Sequence, residues 1–88
     1  MIIDNETSFE YGKDVLFTRI EEEMVLLSLD SELYFTLNEV GTRIWELLGT
    51  NTFVSLIENL DQEYEDSDSM AVTEFVIALK SRNLITFK

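Results

Sequence analysis

The chain has 88 residues, 45% of them hydrophobic and 11% aromatic, with eighteen Asp and Glu against six Lys and Arg for a formal charge of −12. One domain with one core fits that length, a large enzyme does not, and the apolar content excludes an acidic disordered tail. With no His and no Cys, the commonest general base, the thiolate nucleophile, every disulfide and the usual zinc and iron–sulfur ligands are missing, so neither a metal site nor a catalytic residue is expected.

No apolar run approaches the roughly 20 residues that span a bilayer, and the N-terminal Met1-Ile2-Ile3-Asp4-Asn5-Glu6 lacks the positive and apolar regions of a secretory signal. A cytoplasmic protein without a membrane partner is expected. The domain covers residues 1–88, with its core at about 14–86.

Residues 15–20, Val-Leu-Phe-Thr-Arg-Ile, read as a first strand, and Glu21-Glu22-Glu23 as a turn or strand rim. Residues 24–29 form the second strand. Asp30-Ser31-Glu32 supplies turn chemistry into a third strand, Leu33 to Leu37, with Leu33, Phe35 and Leu37 on one face and Tyr34 and Thr36 on the other. The product is an antiparallel meander whose edges carry unpaired backbone groups.

Beyond Leu37 the period turns helical. Asn38 caps a first helix that buries Val40, Ile44, Trp45 and Leu48 and that Gly49 ends in the left-handed region. Thr52 caps a second, burying Val54, Leu56, Ile57, Leu60 and Tyr64. Ser67 caps a third with the core face Val72, Phe75, Val76 and Leu79, stopped by Asn83. Residues 84–88 read as a short closing strand. The fold class is α+β: a three-stranded antiparallel β-sheet followed by three helices, in a winged helix-turn-helix arrangement.

The stretch Tyr34-Phe35-Thr36-Leu37-Asn38-Glu39-Val40-Gly41-Thr42-Arg43-Ile44-Trp45-Glu46-Leu47-Leu48 resembles the hallmark of the PqqD-like family, a strand followed by L-N-x-x-G-x-x-I-W-x-L. Phe75-Val76-Ile77-Ala78-Leu79-Lys80-Ser81-Arg82-Asn83-Leu84 is similar to that family's final helix, F-L-x-x-L-x-x-x-G-L. Asn83 stands in the Gly position, and Asn is the next-best residue for that backbone conformation. The resemblance implies a peptide-binding chaperone that captures the leader of a ribosomally made precursor and presents it to a modifying enzyme or leader peptidase. In that family the leader pairs antiparallel with the third strand, in the groove beside the third helix. Lasso-peptide biosynthesis is slightly preferred; a chaperone for a radical-SAM maturase, as in pyrroloquinoline quinone biogenesis, is the alternative.

Strand addition needs an exposed edge and pockets beside it. The candidate peptide-binding residues are therefore Leu33, Tyr34, Phe35, Thr36 and Leu37 on the strand. From the third helix come Met70 and Ile77, which fall roughly opposite the core face, with Thr73 and Lys80 as further groove wall, together with Val76. The bland readings are an edge covered by other chain or by a second copy, and Met70 and Ile77 as scattered surface hydrophobes. No cofactor is expected, and the chain is a monomer or homodimer.

Rival readings fail on chemistry. Asp66-Ser67-Asp68-Ser69-Met70 lacks the Gly and the twelfth-position Glu of an EF-hand loop, Ile77 standing there instead. The acidic stretch 61–68 reads as a solvated face or a partner contact. Only Lys80, Arg82 and Lys88 bring positive charge near the third helix and tail, and the acidic whole repels phosphates, so no nucleic acid partner is expected. A non-catalytic homodimerisation module that pairs the same free edge with itself is the remaining rival.

Overall fold

The computed structural model describes residues 3, 6–64 and 68–87. Phe9–Tyr11 forms β1, a strand too short to be legible as a periodic run. The meander follows as β2 (Val15–Ile20), β3 (Glu23–Ser28) and β4 (Leu33–Leu37), antiparallel and in that spatial order. Met24, Leu26 and Ser28 of β3 are buried, opposite Leu37, Phe35 and Leu33 of β4. Glu21 and Glu32 take the left-handed conformation in the two hairpin turns, with φ of 56° and 59°. The second strand is thus shifted by one residue from the expected 24–29. Leu29 leaves the ladder, donates its N–H to the Asp14 carbonyl at 2.9 Å, and stands half exposed.

Three helices come next: α1 (Glu39–Leu48), α2 (Phe53–Glu63) and α3 (Ser69–Ser81). Asn38 caps α1, its Oδ1 accepting from Gly41 N at 2.8 Å, and Thr52 caps α2. Asp68 caps α3 by accepting from Met70 N at 2.9 Å; the expected cap, Ser67, lies outside the described residues. Asn83 stops α3 with φ of 61°, as its tolerance of that region predicts.

Gly49 departs from expectation. Its φ is −70°, ordinary right-handed backbone, so conformational freedom is not why a glycine stands there. A Cβ on Gly49 would lie 2.9 Å from the Tyr11 ring, and the missing side chain is what lets β1 approach the end of α1. Gly12 has the same role more severely, since a Cβ there would meet the Asn83 backbone oxygen at 2.7 Å.

The tail becomes β5 (Ile85–Phe87), paired antiparallel with β1 in a separate two-stranded sheet that joins the two ends of the chain. Trp45 is completely buried, stacked on Tyr11 at 4.6 Å between centroids, with the edge of Phe17 at 5.3 Å. Around it pack Leu26, Leu48, Leu56, Leu60, Val76, Leu84 and Ile85. Five expected core positions behave differently. Val40 is 42% exposed, and Val54, Ile57, Tyr64 and Phe75 are half buried. The buried helix faces are narrower than the apolar residues suggest, with Leu56 and Leu60 buried on α2 and Val72, Val76 and Leu79 on α3.

Candidate functional site

β4 is the last strand of its sheet, hydrogen-bonded on one side to β3 and unpaired on the other among the described residues. The strand-to-helix junction that follows is held tightly. Thr42, 2% exposed, accepts from Met24 N at 2.8 Å through its Oγ1 and donates the same hydroxyl to Leu37 O at 3.1 Å. One buried side chain therefore ties β3, the end of β4 and the first turn of α1 together.

Beside that junction opens an apolar groove of about 610 Å³. Thr36 and Leu37 form its strand wall, Val40, Gly41 and Ile44 its α1 wall, Leu60 and Tyr64 its α2 end, and Ala71, Val72 and Phe75 its α3 wall. Gly41 matters because a Cβ there would sit 3.2 Å from Phe75 Cζ and 3.4 Å from Leu37 Cβ. The bare backbone lets the Phe75 ring lie against α1. The exposed Val40 is accounted for here, as groove wall instead of core.

Charge is confined to the rims. Asp68 stands at the α3 entrance. Tyr64 has its phenol pKa raised, first by desolvation and then by the carboxylates of Glu39 and Glu63, so it remains a neutral hydrogen-bonding group at any physiological pH. Arg43 holds Glu63 through Nε at 2.8 and 3.1 Å and reaches Glu46 at 3.7 Å. Beyond the other end of the groove, the Arg82 guanidinium lies 5.2 Å from the centroid of the Phe35 ring on β4.

The strand candidates sit as expected. Leu33, Tyr34 and Thr36 are exposed, Phe35 is half buried and Leu37 buried. The helix candidates do not converge on the groove. Val76 is fully buried in the core and has no surface to offer a peptide. Met70, 70% exposed, and Thr73, Ile77 and Lys80 lie outside the groove lining; the Thr73 hydroxyl is used within the helix, donating to Ser69 O at 2.8 Å. Relative to the buried stripe Val72, Val76 and Leu79, these four occupy one flank of α3. The flank beside β4 is the other one, Ala71, Phe75, Ala78 and Arg82, about 150° away around the axis. The periodicity places both flanks beside the core face but does not say which one meets the strand. A usable signal was the small-large-small pattern of Ala71, Phe75 and Ala78, which leaves space for another chain, and the glycine inside α1.

Among the described residues no helix is long and apolar enough to cross a membrane. A search of curated proteins finds no match. Among solved structures, the fold is similar to TbiB1 in complex with the TbiA(beta) leader peptide, with a TM-score of 0.77 and 31% identity over 86% of this chain and 93% of that one. The family model described as "Coenzyme PQQ synthesis protein D (PqqD)" matches residues 23–85, which run from β3 through β4 and all three helices to the start of β5, and the chain belongs to the PqqD family.

Proposed function

We propose that this chain is a non-catalytic recognition element that binds the leader of a ribosomally synthesised precursor peptide and presents it to a modifying enzyme or leader peptidase. The observation that carries the proposal is a β4 edge, unpaired among the described residues, that borders an apolar groove between that strand and α3. Main-chain groups of β4 supply hydrogen bonds to an added antiparallel strand, and the groove takes its apolar side chains. The similarity to TbiB1, whose structure holds a leader peptide, supports the same reading. The peptide-binding set is then Leu33 to Leu37 with Ala71, Val72 and Phe75. Lasso-peptide biosynthesis, with a separate leader peptidase, is the preferred setting, and a radical-SAM maturase is the alternative.

Titrating the 15N-labelled chain with the leader of the precursor encoded beside it tests this. The amides of Leu33–Leu37 and of 71–75 should shift together and saturate, and Phe75→Ala should weaken binding by about tenfold or more, the loss of a buried aromatic anchor. Saturation with shifts confined to other elements would overturn the site. Sedimentation decides against the dimerisation module if the chain stays monomeric with β4 open to leader.

A further inference from the structure

The chain has three arginines, and two of them are spoken for: Arg19 pairs with Glu46 at 2.9 Å, and Arg43 with Glu63 and Glu46. Arg82 differs. It is exposed, makes no ion pair with a carboxylate among the described residues, and rests over the Phe35 ring. A cation left unpaired in a chain of net charge −12, directly above the edge strand, has an electrostatic vacancy beside it.

Its position along the groove is defined by α3. Ala71, Phe75, Ala78 and Arg82 follow one another at helical spacing on the flank nearest β4, and Ala78 is small and exposed. Nothing large on this flank separates the apolar groove from the guanidinium. From Phe75 to Arg82 the helix rises about 10 Å, which is the span of about three extended residues. Phe75 lies near Leu37 across Gly41, whereas Arg82 lies on Phe35, so α3 leads back towards the start of β4. A strand antiparallel to β4 therefore passes the groove first and Arg82 afterwards. Residues separated by two or four in that strand present their side chains to the same side.

We propose that Arg82 is a specificity-determining residue of the leader site, selecting an Asp or Glu about two to four residues C-terminal to the large apolar residue that fills the groove. This rests on strand addition at β4. The planar guanidinium can keep its cation–π contact with Phe35 while donating two parallel hydrogen bonds to a carboxylate, a bidentate geometry that lysine cannot reproduce. The cation also offsets the repulsion that an acidic peptide meets from the rest of the chain.

A random dodecapeptide library displayed on phage provides the test, selected on the wild-type chain and on Arg82→Glu in parallel. Wild type should enrich peptides with a large apolar residue followed, towards the C-terminus, by Asp or Glu at a fixed separation. Arg82→Glu should exchange that acidic preference for Lys or Arg at the same separation while keeping the apolar residue. In a selected peptide, replacing the acid by its amide should weaken binding to the wild type about three- to tenfold at low salt, less at high salt, and not at all to Arg82→Gln. The amide replacement tests the proposal even if a variant chain folds poorly. Apolar enrichment without an acidic preference, or with the acid on the N-terminal side, overturns the role of Arg82 and leaves strand addition standing. Failure to enrich any peptide that perturbs the β4 amides overturns strand addition, and this inference with it.

Discussion

Replacing Thr42 by Val keeps the shape of the side chain and removes the one hydroxyl that bridges β3, β4 and α1. Two buried backbone groups lose their partner: Met24 N–H, bonded at 2.8 Å, and Leu37 C=O, bonded at 3.1 Å. Met24 and Leu37 are 5% and 8% exposed, so water does not readily replace the hydroxyl. Each orphaned group costs about 1–3 kcal/mol, and some relaxation of the strand end brings the expected total to about 2–4 kcal/mol. An 88-residue domain has about 4–13 kcal/mol in all, so the loss is a large fraction of it. Urea unfolding followed by Trp45 fluorescence should show the midpoint falling by about 2–4 M with the slope unchanged, taking about 1 kcal/mol per molar for a small domain. Thr42→Ser keeps both hydrogen bonds and loses a methyl group, so it should cost only about 1 kcal/mol. A Thr42→Val loss below about 0.5 kcal/mol would refute the reasoning, because the two backbone groups would then have found other partners.

Gly12→Ala forces a Cβ to within 2.7 Å of the Asn83 backbone oxygen, where no flexible side chain can give way, and should lower stability by about 1–3 kcal/mol in thermal melts. Tyr11 donates its hydroxyl to Trp45 O at 2.6 Å; burial, and secondarily Glu46, raise its pKa above the ordinary value near 10, while a Gly49 backbone hydrogen bond opposes the shift. The folded chain therefore holds this proton more tightly than the unfolded one. That contribution is complete below about pH 10 and is lost as pH rises through the folded pKa, so the melting temperature should be level with respect to Tyr11 from neutral pH to about 9 and then fall. Tyr11→Phe should cost about 1 kcal/mol at neutral pH and flatten the alkaline fall, leaving the part due to Tyr64. Arg43→Gln breaks the contacts to Glu63 and Glu46, all partly exposed, and should cost no more than about 1 kcal/mol, vanishing in high salt.

The elements whose chemistry is local were legible in the sequence. Leu33–Leu37 reads as a strand from its alternation, and Asn38 and Thr52 as caps because each satisfies the free amides of the turn that follows it. Asn83 stops α3 for a reason contained in its own side chain. The motif around Leu37, Asn38, Gly41, Ile44 and Trp45 identified the family; Trp45 is core, whereas Leu37, Gly41 and Ile44 also line the groove. The groove was half legible: Thr36 and Leu37 of the strand candidates line it, whereas Met70, Thr73, Ile77 and Lys80 lie on the other flank of α3 and Val76 is buried.

By itself the sequence determined the meander, the three helices and their caps, the absence of His and Cys chemistry, and an acidic surface, because each depends on residue type, period or composition. Tertiary structure decided the remainder. β1 exists only because Phe9–Tyr11 finds Ile85–Phe87 at the far end of the chain, and Gly12 and Gly49 are glycines because other segments pass close to them. Which flank of α3 faces β4, and so whether Lys80 or Arg82 stands over Phe35, depends on the rotation of that helix about its axis. Rotation is set by how Phe75 packs against Gly41 and how Val76 fills the core, contacts between residues far apart in the chain that no local period encodes.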